Sequence, residues 1–270
     1  PVQNQQRPLR LTDLLWHTSG LPDYLDSLGC AKGPLSPEEL GGLRNEDIAK
    51  RLRKEDLLFD TGTRHQYSNT NYVFLALAVE RASGKPFPKF MGDEVFGPAG
   101  MTATRVFDSL ELTIEGRARG YRFEGGEFRL AERLNVINGD GNVWSNIDDL
   151  GSWDDALRDG KLVRGTTMAR ALARGRLDDG RTIPYGFGWR VQSYRGEPLY
   201  GHGGRWGGFR NYLGRYRNGR LTVAVLGNDY SFDAEELADR IAGAIMSSET
   251  NILSPVPERP ARAGTTPWGP

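Results

Sequence analysis

The 270 residues contain a single cysteine, Cys30, so no disulfide can close within the chain and the redox compartment is left unmarked. Cys30 lies in a loop punctuated by Gly and Pro, with no partner in view, and reads as an inert side chain rather than a nucleophile. Charge of one sign is also missing: 35 Lys and Arg balance 35 Asp and Glu. The basic residues are dispersed, which removes the footprint of a nucleic-acid partner. Their densest run, Lys50-Arg51-Leu52-Arg53-Lys54, is ringed by Glu46, Asp47, Glu55 and Asp56 and reads as a solvated helix face. No apolar stretch approaches the roughly 18–20 residues of a membrane span. His17 and His65 share no metal-ligand spacing with each other or with Cys30, and no His-Glu-x-x-His pair occurs. A Gly-x-Ser-x-Gly elbow is absent too, so nothing points to a triad hydrolase of that class.

What is present describes a globular chain, 38% hydrophobic and 26% charged, long enough for one large domain or two ordinary ones. A helix is predicted from Leu9 to Trp16, with Thr12 as its cap and Leu11, Leu14 and Leu15 on one face. Residues 36–58 carry a second helical pattern, opened by Ser36-Pro37-Glu38-Glu39. Between Asn71 and Ala82, Tyr72, Leu75, Ala76 and Val79 recur at helical spacing, and Gly84 supplies the stop. Shorter helices follow at Phe87–Val95, Ile147–Leu157 and Thr166–Ala173, with Gly-rich hairpins expected across residues 105–135.

From Tyr185 the pattern turns to strands. Phe187, Trp189 and Val191 alternate, as do residues 211–217, and Leu221 to Leu226 is a β-branched apolar run. Asn218-Gly219 is the hairpin turn between the last two, and an amphipathic helix, Ala234–Met246, is expected to cover the sheet. The fold class is therefore α+β: an antiparallel sheet with flanking helices and a mostly helical subdomain. Residues 1–250 form the domain, and residues 251–270, rich in Pro, Arg and Thr, read as a linker or tail.

Two segments could carry chemistry. In Gly201-His202-Gly203-Gly204-Arg205-Trp206-Gly207-Gly208 the glycines lead into another strand rather than a helix, against a phosphate-cradling loop. Two readings remain: glycines that let a strand twist or pack closely, or an active-site edge strand where a substrate lies against bare backbone. In Gln66-Tyr67-Ser68-Asn69-Thr70-Asn71, Tyr67 is either a half-buried aromatic or a base, and a phenol near pKa ~10 needs positive charge nearby to act as a base. Asn69 falls at the cap of the following helix, which could be its whole role.

Taken together these segments resemble the serine β-lactamase-like superfamily, in its branch of class C β-lactamases, DD-peptidases and esterases. The resemblance runs from about Leu11 to Met246 through an ordered series. Leu14-Leu15-Trp16-His17-Thr18-Ser19-Gly20-Leu21 and Tyr67-Ser68-Asn69-Thr70-Asn71-Tyr72 come first. Gly97-Pro98-Ala99-Gly100-Met101, Ala118-Arg119-Gly120-Tyr121 and Ser145-Asn146-Ile147-Asp148-Asp149-Leu150 follow. Tyr185-Gly186-Phe187-Gly188-Trp189 and Gly201-His202-Gly203-Gly204 close it.

The resemblance implies an acyl-enzyme mechanism on an amide, lactam or ester. Tyr67 would take the serine's proton, and Asn69 would bond the substrate amide or a lysine. His202 would tune Tyr67 or anchor an anionic group, and the glycine strand Gly203-Gly204 would supply the Arg205 N–H as an oxyanion donor. It implies no metal or organic cofactor, and a small-molecule or peptide substrate. Trp144, Trp206 and Phe209 are candidate groove walls. The family is often exported, and the leader that would show it belongs upstream of Pro1.

One family signature is absent. No serine in the chain has a lysine three residues later, and only sixteen residues precede His17, where the family keeps its Ser-x-x-Lys helix well upstream. Without that serine a tyrosine base has nothing to deprotonate. The expectation is a piece of an enzyme lacking its N-terminal strands and nucleophile helix, inactive alone. The alternative is a non-catalytic binding or regulatory domain that reuses the same groove.

Overall fold

The structure, a computed structural model, describes residues 7–29, 39 and 42–250, with side chains through 247. Cys30, the Ser36-Pro37-Glu38 helix opening and the 251–270 tail lie outside them. The chain divides into two compact units, the first of Pro1–Gly116 with Leu134–Trp189 and the second of Arg117–Arg133 with Arg190–Pro270.

The first unit is mostly helical. Helix α1, Leu11–Leu15, is capped by Arg10 and not by Thr12, which lies inside the helix. Asp13 causes this: its carboxylate accepts the Arg10 backbone N–H at 2.7 Å and also pairs with the Arg7 guanidinium. Helix α2, Tyr24–Ser27, starts at Asp23, whose side chain accepts the Leu25 N–H. Helix α3, Asn45–Leu52, turns Ile48, Ala49 and Leu52 inward and Lys50 and Arg51 outward, as a solvated basic face requires. It stops short of residue 58 because the chain leaves to pair with the Gly20 carbonyl through the Leu58 N–H.

Helix α4, Asn69–Ser83, opens on the candidate residue Asn69 and ends at Gly84, whose φ of +69° favours glycine. Its deepest residues are Thr70, Asn71, Val73, Ala76 and Leu77; of the expected stripe only Ala76 is fully buried, while Tyr72, Leu75 and Val79 are half-buried. Two apolar clusters hold it, one of Tyr24, Ile48, Leu52, Val73 and Ile137, the other of Ala76, Phe87, Phe96, Met101 and Val106. A helix buried from two sides shows no single amphipathic stripe. Each large aliphatic or Phe side chain among them contributes about 1.5–3 kcal/mol by leaving water, which holds α4 in place.

Helix α5, Phe87–Met91, does not stop before Gly97-Pro98 but widens into a π turn, Gly92–Phe96, and continues as α6, Gly97–Ala99. Pro98 has no N–H for the helical ladder, and the wider turn absorbs the loss. Strand β1, Arg105–Val106, pairs with β4, Val143–Trp144, and β5, Gly175–Arg176, with β6, Thr182–Ile183. Helix α7, Ile147–Arg158, is capped by Asn146, and α8 spans Gly165–Leu172. The expected strand through Phe187 and Trp189 is instead a turn: Gly188 has φ +76°, and the Phe187 N–H donates to Ala171 at the end of α8.

The second unit holds the main sheet. Strands β7 (Arg190–Tyr194), β8 (Glu197–Trp206), β9 (Phe209–Tyr216) and β10 (Leu221–Gly227) form an antiparallel sheet in the order β10-β9-β8-β7. The β9–β10 loop contains Asn218-Gly219 and has three successive positive φ angles, at Arg217, Asn218 and Gly219. Helix α9, Ala234–Thr250, covers one face, with Ala234, Ala238 and Ala242 against Leu199, Tyr212, Tyr216, Val223 and Val225. A hairpin of β2, Tyr121–Glu124, and β3, Glu127–Leu130, joins this unit where the Tyr121 N–H donates to the Asn228 carbonyl. The architecture is α+β, as expected. No helix among the described residues is long and apolar enough to cross a membrane.

Candidate active site

In the first unit the site is built where the chain leaves α1. His17 takes a φ of +54°, a left-handed conformation costing a non-glycine residue about 1–2 kcal/mol. Backbone bonds across residues 17–20 hold it there. Gly62 and Gln66 donate to the carbonyls of Thr18 and His17, at 2.8 and 2.9 Å, and the Thr61 hydroxyl donates to that of Ser19 at 2.7 Å. This zips the His17-Thr18-Ser19-Gly20 segment to the chain that leads into Tyr67.

The buried imidazole of His17 has a defined proton. Its Nδ1 lies 3.2 Å from the Ser68 backbone N–H, a group that can only donate, so Nδ1 is the lone-pair nitrogen. Asn71 Nδ2, 3.0 Å away, adds a second donor to the same atom. The orientation of that amide is fixed in turn, because its Oδ1 accepts the Ser19 hydroxyl at 2.5 Å. A neutral His17 therefore carries its proton on Nε2, 3.3 Å from the Tyr185 hydroxyl.

Tyr67 is half-buried on this platform. Its ring lies 4.2 Å from that of His17, tilted by 34°, and meets Tyr185 edge-on at 6.5 Å. Tyr72 completes the group of phenols; burial, and then the neighbouring Tyr67, push its hydroxyl well above the ordinary range, and it donates to the Leu15 carbonyl. Ser68, not Asn69, is the N-cap residue of α4. Asn69 is the first helical residue, and its backbone N–H and Nδ2 both donate to Asp23 Oδ2, at 2.7 and 2.9 Å. Helix capping is therefore not the role of the Asn69 side chain.

In the second unit, His202 sits on β8 opposite Leu213 of β9. Leu199 of the same strand packs in the core under α9, so the alternation of β8 turns His202 to the other face. Its Nδ1 is 2.7 Å from the Gly203 carbonyl, which can only accept, so Nδ1 carries the proton. Burial, with Arg190 as the next cause, lowers its pKa to about 4. At neutral pH it is an uncharged imidazole with its lone pair on Nε2.

The neighbouring glycines divide into two kinds. A Cβ on Gly201 would come within 2.2 Å of the Tyr212 hydroxyl, so its lack of a side chain is a packing requirement. A Cβ on Gly204 would meet nothing nearer than 3.8 Å, and on Gly203 nothing nearer than 3.4 Å. Their backbones are also open to any residue, since neither has a positive φ. Packing within this unit does not explain why positions 203 and 204 are bare. Arg205, next along, is exposed and pairs in register with Arg210.

A family model described as Beta-lactamase matches residues 1–245. The chain belongs to the beta-lactamase family. Among its relatives, Penicillin-binding protein 4* of Bacillus subtilis (strain 168) is 35% identical over 268 residues, covering 92% of this chain and 57% of that protein. The D-aminopeptidase of Brucella canis is 27% identical over 261 residues, covering 94% and 47%. The chain thus spans about half the length of these curated relatives. A penicillin-binding protein from Bacillus halodurans has the same fold, with a TM-score of 0.71 at 26% identity over 87% of this chain and 71% of that one. The D-amino acid amidase of Ochrobactrum anthropi SV3 shares the fold at 23% identity, with a TM-score of 0.73, covering 89% and 72%.

This beta-lactamase-family chain is thereby a member of the serine beta-lactamase/DD-peptidase superfamily. Of the residues singled out from sequence, Tyr67 precedes the N-cap Ser68 and Asn69 opens α4, and His202, Gly203, Gly204 and Arg205 follow one another on β8. The sequence offered His17 as a family marker and as a rejected metal ligand, and Tyr185 as a family marker; that they form the bed of Tyr67 was missed. Asp23 was missed as well, although an acid between a proline and a short helix is a recognisable cap signal.

Proposed function

We propose that these residues are the substrate-facing part of an acyl-transferring serine hydrolase that opens an amide, lactam or ester through an acyl-enzyme. The names of the relatives narrow the class, since they include penicillin-binding proteins, a D-aminopeptidase and a D-amino acid amidase. The favoured substrate is an amide or peptide beside a D-configured residue, with penicillins as covalent mimics.

In this reading Tyr67, as phenolate, takes the proton of the attacking serine while the serine oxygen bonds to the substrate carbonyl carbon. The carbonyl oxygen becomes an oxyanion bonded by the Arg205 N–H. The carbonyl re-forms as the amine departs with the proton that Tyr67 returns, and water or another acceptor later releases the acyl group. Asn69 holds the substrate amide or the lysine that keeps Tyr67 ionised. His202, uncharged at neutral pH with the lone pair on Nε2, would serve as a hydrogen-bond acceptor.

The observation that carries the reading is the pair of bare positions Gly203 and Gly204 beside His202, which no packing contact among the described residues demands and a substrate backbone would. The attacking serine and its lysine belong to a Ser-x-x-Lys absent from these 270 residues. The chain as given is therefore proposed to be inactive alone.

Fluorescent penicillin and mass spectrometry test this. The 270-residue chain stays unlabelled, and the gene product extended upstream is labelled on the serine of a Ser-x-x-Lys. An upstream sequence without that motif, and no labelling, would move the assignment to the non-catalytic binding domain. Hydrolysis of D-alanine and L-alanine amides by the extended form then reads the preference for configuration.

A further inference from the structure

Asp23 caps α2, and capping uses only one of its carboxylate oxygens. Oδ1 accepts the Leu25 N–H at 3.0 Å. Oδ2 does something a cap does not need: it accepts both the backbone N–H and the Nδ2–H of Asn69. Asp23 cannot drift away, because the flanking chains are stitched together. The Thr70 hydroxyl donates to the Pro22 carbonyl at 2.7 Å and accepts the Tyr24 N–H at 2.8 Å, and the Ser68 hydroxyl donates to the same Pro22 carbonyl.

The consequence falls on the Asn69 amide. An unrestrained asparagine can turn its amide over and exchange donor for acceptor with little change in shape. A carboxylate only accepts, so the Nδ2 end of Asn69 must face Asp23, and Oδ1 must face the other way. Among the described residues, none donates to that Oδ1.

We propose that Asp23 is a positioning residue for acyl transfer: it locks the Asn69 amide with its oxygen outward, as an acceptor for an ammonium or amide N–H at the site. The proposal rests on the reading of Asn69 as a site residue given above. Turned over, the amide would aim N–H at a donor. Burial raises the Asp23 pKa and disfavours its charge, so the carboxylate is held against a desolvation cost that a serine cap would avoid.

Asp23→Ser separates the two roles, since serine caps a helix about as well as aspartate and is too short to reach Asn69. In the isotope-labelled 270-residue chain, the Asn69 side-chain NH2 is expected to show one proton shifted and slow to exchange. In Asp23→Ser both protons should resemble those of a free asparagine. A wild-type pair that already exchanges freely, or a variant that changes nothing, overturns the lock.

In the extended form, Asp23→Ser should slow penicillin acylation about 10- to 100-fold, as a misplaced site group does. Asn69→Ala should slow it as well, and the double variant should be no slower than Asn69→Ala alone. Losses that multiply show that Asp23 acts by some other route and overturn the positioning role. A wild-type extended form that never acylates overturns the functional reading and this role with it, whatever the side-chain amide shows.

Discussion

His17 and His202 carry the same ring in two units and have opposite proton arrangements. At His17 a backbone N–H meets Nδ1 and forces the proton to Nε2; at His202 a backbone carbonyl meets Nδ1 and keeps the proton there. His17 is tied on both nitrogens into a buried network with Ser68, Asn71 and Tyr185. His202 is half-buried on a strand, neutral through burial and the nearby Arg190, with its lone pair on Nε2. The first is held as a structural bed for Tyr67, and the second lies on β8 beside Gly203 and Gly204. The two imidazoles are thus told apart by the backbone group that meets Nδ1.

The largest effect that would break this contrast is on stability. His17→Ala leaves a cavity and strands the Ser68 N–H and the Asn71 amide, and should cost about 3–5 kcal/mol in urea unfolding. His202→Ala should cost about 1 kcal/mol. Equal losses would show that the two rings have the same kind of role.

The glycines offer a sharper version. Gly201→Ala drives a methyl into the Tyr212 hydroxyl and should destabilise the chain by about 1–3 kcal/mol. Gly204→Ala should leave stability within about 0.5 kcal/mol while slowing penicillin acylation of the extended form. A Gly204→Ala protein that unfolds as readily as Gly201→Ala would return that position to packing.

The pH dependence of stability contains two opposed contributions. His202 has its pKa lowered to about 4 from an ordinary 6.5, so the unfolded chain binds the extra proton between those values. Its contribution is complete above pH 6.5 and is lost as pH falls towards 4. Asp140 is raised by burial from 3.8 to about 7, so its contribution is complete below pH 3.8 and is lost as pH rises through 7. Asp140→Asn should therefore leave stability that rises with pH between about 4 and 6.5, and His202→Ala should leave stability that falls. Chemical denaturation across that range separates the slopes.

The smallest perturbation reads the tautomers themselves. Nitrogen-15 shifts of the imidazoles should show an Nε2–H form for His17 and an Nδ1–H form for His202 at neutral pH. The same protonated nitrogen in both would remove the contrast.

Much of this was legible in the sequence where one local rule dominates. Helix α4 was, because Gly84 ends it in the left-handed region, and so was the β9–β10 turn at Asn218-Gly219. Other features were decided by contacts that no local pattern records. Phe187 and Trp189 alternate with glycines and imitate a strand, yet Gly188 turns the chain and Phe187 bonds to the end of α8. Thr12 looked like a cap until Asp13 took the Arg10 N–H. For the proposed site, the motifs singled out Tyr67, Asn69 and His202 as candidates. The left-handed turn at His17 and the Asp23–Asn69 bonds were not legible there, since each depends on residues some fifty positions away.

The central claim is that Tyr67 is the base of an acyl-transfer reaction, and the rate of penicillin acylation of the extended form with Tyr67→Phe tests it most directly. The account predicts a rate about 100-fold or more below wild type, the usual worth of a positioned base, with little change in stability. A Tyr67→Phe protein that acylates as fast as wild type would contradict it.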